Sequence, residues 1–159
     1  MKIVDAQIHI WSKGTPSGLH RKVSSFSAEE ALREMDEAGV HAAVIHPPAS
    51  WDPDSNAMAV EAARRYPDRF AVMGRIAPQV LSKSQGALIG WRKQPGMLGL
   101  RLAMNVPKAP QILGSGKLDW LWQEAEAEGV PLMMLMLMEH VPLVDAIAAK
   151  HPKLKIIMD

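Results

Sequence analysis

Lys2-Ile3-Val4-Asp5-Ala6-Gln7-Ile8-His9-Ile10-Trp11 opens the chain, and its alternation decides the fold class. β-branched residues and strict parity predict a strand. Ile3, Asp5, Gln7 and His9 share one face, and Val4, Ala6, Ile8 and Ile10 share the other, because successive strand side chains point to opposite sides. The second face is wholly apolar and suits packing against helices. The first turns polar toward its C-terminal end, and three aligned polar side chains in a core need partners or a purpose. In parallel α/β architectures that end of a strand is where ligands sit.

Outward from this strand the pattern repeats. Ser12 to Gly18 is a Gly/Pro/Ser-rich loop bordering the polar end. Ser27 with Glu30 forms a capping box that starts a helix, with Leu32, Met35 and Ala38 on one face and Gly39 as its stop. A second strand is expected over residues 41–46, and a loop with Ser50, Trp51 and Asp52 follows. A helix spans Ser55 to Tyr66, a strand Phe70 to Ile76, and a helix Ser82 to Lys93 despite Gly86 and Gly90. The fourth strand covers Met97 to Leu102, and a long loop containing Asn105 follows it. A helix built on Leu118, Leu121, Trp122 and Ala125 ends at Gly129. Val130 to Leu137 is the fifth strand, Pro142 starts a helix that Pro152 ends, and Leu154 to Asp159 is the sixth strand. Each strand–helix pair takes roughly thirty residues, the length of a βα unit. Such alternation gives a parallel sheet with covering helices, closed as a doubly wound sheet or as a (β/α)8 barrel. No Gly-rich phosphate loop follows the first strand, which disfavours nucleotide binding.

Composition narrows the function classes. In 159 residues, 48% are apolar, 22% are charged and the net charge is +1, which leaves no basic field for nucleic acid. The longest apolar run, Val130 to Met138, is far short of the ~20 residues of a membrane helix. The absence of cysteine fits a reducing compartment such as the cytoplasm. The 11 methionines read as core filler rather than as a binding surface.

Several strands end in polar residues at one edge: Gln7 and His9, His46, Arg75, Arg101 and Asp159. In a parallel sheet these ends converge, and two histidines, two arginines and an aspartate suit binding a carboxylate and activating water. Each has a structural alternative. The histidines serve equally as hydrogen-bonded rim residues, the arginines as ion-pair partners, and Asp159 as a solvated end. His20, His41, His140 and His151 lie in loops or at element starts and read as surface residues.

Asp5-x-Gln7-x-His9-x-Trp11 resembles the Asp-x-His-x-His opening of the amidohydrolase superfamily. Gly99-Leu100-Arg101-Leu102, Gly129-Val130-Pro131 and His151-Pro152-x-Leu154-x-Ile156-Ile157-x-Asp159 are similar to strand regions of its amidohydrolase-related family, which includes lactonases and decarboxylases. The resemblance implies a TIM-type (β/α)8 barrel, with about six βα units in this chain and residues 1–159 forming one domain, incomplete at its C-terminus. It also implies a hydrolytic site at the mouth. His9 and Asp159 are the catalytic candidates, and Gln7, Trp11, His46, Arg75, Arg101 and Asn105 the substrate-binding ones. Metal-dependent members use both histidines of the first strand. Here Gln7 replaces one, so only His9 is a metal candidate, and the expectation is no cofactor or a weakly bound divalent metal such as zinc.

Three readings follow. One is a hydrolase of a lactone or other small carboxylated compound, with His9 polarising a carbonyl and the arginines holding carboxylates. Another is a metal-dependent decarboxylase or hydrolase whose remaining ligands lie beyond Asp159. The third is an inactive truncated barrel acting as a binding or assembly module. Six strands do not close an eight-strand barrel, so an open sheet edge is expected to pair with another copy.

Overall fold

The elements alternate as the sequence pattern requires. A computed structural model of the chain describes residues 1–18, 20–76 and 78–159. The chain divides into two compact units, Met1–Ala77 with Lys93–Leu98, and Pro78–Arg92 with Gly99–Asp159.

The first unit contains β1 (Val4–Ile8), α1 (Ala28–Ala38), β2 (Ala42–Ile45), α2 (Ser55–Arg65) and β3 (Phe70–Gly74). β1 pairs with β2 and β2 with β3, both in parallel, so strand order follows chain order. Ala43 sits level with Phe70 and Ile45 with Val72, and all four are buried. α2 offers this layer Ala59, Ala62 and Ala63, whose small side chains permit close approach.

α1 begins where the capping box places it. The Glu30 N–H donates to Ser27 Oγ at 3.1 Å, and the Ser27 N–H donates to Glu30 Oε2 at 2.7 Å. Gly39 closes the helix in the left-handed region, at φ 71°. Ser27→Ala removes one reciprocal bond and is expected to lower stability by about 1 kcal/mol, read as a lower denaturation midpoint at unchanged slope.

The opening strand departs from simple parity. From Asp5 to Ile8, β1 advances three residues while β2 advances two, from Ala43 to Ile45. This bulge interrupts the regular alternation between Asp5 and Ile8. Asp5 turns its carboxylate to its own backbone, accepting the Gln7 N–H at 2.9 Å. Ile3 and Val4 remain 45% and 52% exposed.

The second unit contains α3 (Pro78–Leu81), most of β4 (Met97–Met104), α4 (Ala109–Gly114), α5 (Asp119–Ala127), β5 (Leu132–Met136), α6 (Val141–Lys150) and β6 (Ile156–Met158). β4 pairs with β5 and β5 with β6, again in parallel. Leu100, Leu102, Leu132 and Met134 are buried with Leu121, Trp122 and Val144 from the helices. Each such aliphatic side chain contributes about 1.5–3 kcal/mol. Met35, Met73, Met97, Met104 and Met136 are buried as well, consistent with methionine as core filler.

The helix expected over Ser82 to Lys93 is absent. Only α3 and a 3-10 turn at Trp91–Lys93 flank a run of turns. Gly86 and Gly90 adopt positive φ, at 88° and 68°. Their amides bind side chains rather than a helical ladder. Glu124 accepts the Gly86 N–H at 2.5 Å and the Leu88 N–H at 3.3 Å, and Glu128 accepts the Gly90 N–H at 3.1 Å. Conversely, the stretch after β4, expected to be loop, holds the short helix α4 with Pro110 in its first turn.

Candidate functional site

Each unit holds one polar cluster: the first stands at C-terminal strand ends, and the second joins Arg101, inside β4, to Asp159, just after β6. In the first, β1 delivers His9 and β2 delivers His46. His9 Nδ1 lies 2.6 Å from the His46 carbonyl oxygen. A carbonyl only accepts, so Nδ1 carries the proton, and in the neutral ring the Nε2 bears the lone pair. His46 is 1% exposed, and its Nε2 donates to the Ala6 carbonyl at 3.1 Å. The pairing of β1 with β2 thus sets the tautomer of both rings. A carbonyl-polarising donor at His9 Nε2 requires the imidazolium; the neutral ring is a proton acceptor or a ligand.

Flat rings surround His9. His20 lies 4.9 Å from it between ring centroids, and Trp51 lies 6.1 Å away. His20 and Trp51 are themselves 4.9 Å apart. A cavity of about 190 Å³ is lined by His9 and His20 together with Ile8, Trp11, Phe26 and the Arg21–Glu34 pair. Trp11 is 3% exposed and donates through Nε1 to the Val23 carbonyl at 3.3 Å. It therefore serves as a wall and as an anchor of the following loop.

Beneath this cluster lies Asp52, fully buried. Its carboxylate accepts the Ser12 N–H at 2.7 Å, the Ser12 hydroxyl at 2.9 Å and the Asp54 N–H at 3.0 Å. Burial pushes its pKa up, but the bonds from Ser12, Asp54 and Lys13 outweigh that and hold it below the usual carboxylate value. Asp52 thus ties the loop after β1 to the loop after β2. Gly14 completes the join at φ 97°, where an added Cβ would lie 2.2 Å from the Trp51 carbonyl oxygen.

In the second unit Arg101 and Asp159 form an ion pair, with side chains 7% and 18% exposed. Arg101 Nε donates to Asp159 Oδ2 at 2.8 Å, and Nη2 reaches the same oxygen. Arg101 sits level with Met133 on β5, and the Asp159 N–H donates to the Met134 carbonyl at 3.0 Å. Asp159 is exposed as a residue, but its backbone is held by the sheet and its side chain by Arg101.

The remaining expected residues are placed as follows. Gln7 is half-buried. Arg75 follows β3, half-buried, with its N–H donating to Asn56 Oδ1 at 3.0 Å. Asn105 follows β4 and is exposed. One histidine expected at the surface, His140, is buried, and a second, His20, is half-buried. His140 is buried in the 3-10 turn after β5, and His20 lines the His9 cavity. His151 is half-buried against Glu126, at 3.3 Å, whereas His41 is exposed and accepts the Ile3 N–H at 3.1 Å. No local signal marks His20 or Asp52, since both are delivered by loops whose path the strand pattern does not set.

Among the described residues no group of three or more His, Asp or Glu side chains is arranged to hold a metal. Gln7 holds the position at which the resemblance to metal-dependent amidohydrolases implies a histidine. No helix among the described residues is long and apolar enough to cross a membrane.

Parallel pairing in chain order with alternating helices is the architecture of a (β/α)8 barrel, of which this chain supplies six strands. Comparison with solved structures gives the same fold. An amidohydrolase from Burkholderia multivorans with bound zinc matches at TM-score 0.77 and 16% identity, covering 100% of this chain and 57% of its own. A probable 2-pyrone-4,6-dicarboxylic acid hydrolase from Acinetobacter baumannii with citric acid bound matches at TM-score 0.68 and 15% identity, covering 100% and 58%. A 5-carboxyvanillate decarboxylase from Novosphingobium aromaticivorans with bound manganese matches at TM-score 0.68 and 17% identity, covering 99% and 65%. This chain thus spans less than two thirds of the length of each. The sequence profile of the amidohydrolase family matches residues 4–159, and the chain belongs to that family. Comparison with curated proteins gives no match.

Proposed function

We propose that this chain carries the front part of the active site of a hydrolase acting on a lactone or another small carboxylated compound. The observation that carries the reading is His9. Its Nδ1–H is fixed on the His46 carbonyl, which puts the lone pair of the neutral ring on Nε2, and the ring lines a ring-walled cavity. His9 takes the proton from an attacking water, and Gln7 and Trp11 form wall beside it. Within the second unit taken by itself, Asp159 held by Arg101 is a carboxylate suited to acid/base work, and the guanidinium offers donors for a carboxylate. Arg75 and Asn105 are the further polar contacts. The likeness to a lactone-dicarboxylate hydrolase with citric acid bound supports small acids as the ligand class. The family match over residues 4–159 supports reading them as one barrel domain.

Hydrolysis of 2-pyrone-4,6-dicarboxylate, followed by loss of pyrone absorbance, tests the reading. Arg101→Met is expected to raise KM tenfold or more for this dianion, with Arg101→Lys in between because it keeps the charge facing Asp159. An unchanged KM in both variants removes Arg101 from the site.

A second reading follows from the same tautomer, since a neutral ring with its lone pair on Nε2 is also the form that binds metal. On that reading the enzyme is a metal-dependent decarboxylase or hydrolase, as the manganese-bound neighbour suggests. Metal content near one zinc or manganese per chain, with turnover abolished by chelator, would favour it over the first reading.

A further inference from the structure

We propose that His20, supplied by the loop between β1 and α1, is a specificity-determining residue that hydrogen-bonds the carboxylate of a single-ring acid bound in the His9 cavity. The proposal rests on the hydrolase reading above and adds a contact that the strand ends do not supply. The cavity is walled by the rings of His9, Trp11, His20 and Phe26 and by Ile8. At about 190 Å³ it has room for one planar ring with its substituents.

The cationic side chain at its rim is already engaged. Arg21 grips Glu34 with bonds of 2.6 and 3.1 Å and lies 5.1 Å over the Phe26 ring. Arg21 is therefore neutralised and does not recognise an anion unaided. His20 is built differently. A turn places the His20 N–H on the Ser17 carbonyl at 3.0 Å, and Ser17 Oγ meets His20 Nδ1 at 2.6 Å. These two bonds fix the ring from one side, and its edge-to-face contacts with His9 and Trp51, each 4.9 Å between centroids, fix it from the other. Nε2 diverges from the Ser17 bond and is the His20 nitrogen available to a ligand. Ser17 Oγ can donate to or accept from Nδ1, so it matches either tautomer; a carboxylate oxygen at Nε2 selects the ring with its proton on Nε2, with Ser17 then donating to Nδ1.

The test is binding of benzene-1,3-dicarboxylate, a non-hydrolysable single-ring diacid, to the whole chain, followed by quenching of tryptophan fluorescence. Two substitutions separate a polar contact from loop packing. His20→Gln keeps a donor and loses the ring, whereas His20→Phe keeps the ring contacts with His9 and Trp51 and loses the donor. The expected result is an affinity within threefold of the parent for His20→Gln and at least tenfold weaker for His20→Phe. The reverse order means that His20 only packs the loop, and it overturns the proposal, as does a parent chain that fails to bind the diacid. Pyrone hydrolysis by the parent is measured in parallel. Turnover with an unaffected His20→Phe variant sinks the His20 contact alone, whereas diacid binding in the expected order without turnover sinks the hydrolase reading alone.

Discussion

Asp52→Ala is expected to destabilise the first unit by about 3 kcal/mol, because buried N–H donors that lose their acceptor cost roughly 1–3 kcal/mol each. The donors are the amides of Ser12, Lys13 and Asp54, and the Ser12 hydroxyl loses the same acceptor. In a chain of this size that loss corresponds to a melting temperature lower by about 10 °C. Differential scanning calorimetry checks it, and a shift of only one or two degrees would show that water replaces the carboxylate. The pH dependence has a definite sign. The folded-state pKa of Asp52 lies below its unfolded value. Its stabilisation is therefore fully present above the ordinary carboxylate pKa of about 3.9 and fades as pH falls toward the folded value. Asp52→Asn should accordingly be less stable than the parent at pH 7, and its melting temperature should fall less between pH 4 and about pH 2.

Gly14→Ala acts on the same join from the other side. Its backbone sits at φ 97°, and a Cβ there meets the Trp51 carbonyl oxygen at 2.2 Å, the Trp51 carbonyl carbon at 2.9 Å and the Trp51 Cβ at 3.3 Å. Backbone cannot swing aside as a side chain does, so the loop must move. A positive φ for an L residue adds strain of order 1–3 kcal/mol, and the expected total loss is about 2–4 kcal/mol. Displacing Gly14 also pulls on Ser12, so the Asp52→Ala and Gly14→Ala losses should not add. The double variant is expected to fall short of their sum by about 1 kcal/mol or more. Full additivity would mean that the two contacts act independently.

The alternation of strand and helix was legible because each rests on a local period. The start and stop of α1 were legible because Ser27, Glu30 and Gly39 act within one turn. The missing third helix shows where local reading fails. Its apolar spacing is helical, but Glu124 and Glu128, almost forty residues away, take the amides that would have built it. The irregular register of β1 escapes local reading for a related reason. The bulge after Asp5 is a property of how two strands pair, and a single strand cannot announce it. His9, His46 and Asp159 were legible as polar residues just past strand ends, whereas Arg101 lies inside β4, which runs on to Met104. His20, Trp51 and Asp52 reach the cluster along loops, and Asp52 in particular reads in sequence as an ordinary polar loop residue.

The two histidines of the first cluster are oriented by main-chain oxygens, those of His46 and Ala6. Every amino acid brings that acceptor with it, so no substitution at position 6 can delete it. The usual arrangement, in which a neighbouring aspartate orients a histidine, exposes the orienting group to loss by a single codon change. Here the orienting information is stored in how two strands lie side by side, out of reach of point mutation. A lineage carrying this device is free to vary the surrounding side chains, and thus the ligand, while the two rings keep their protons in place. An engineer who wants to reverse the tautomer of His9 must rebuild the pairing of β1 with β2 rather than exchange a neighbour.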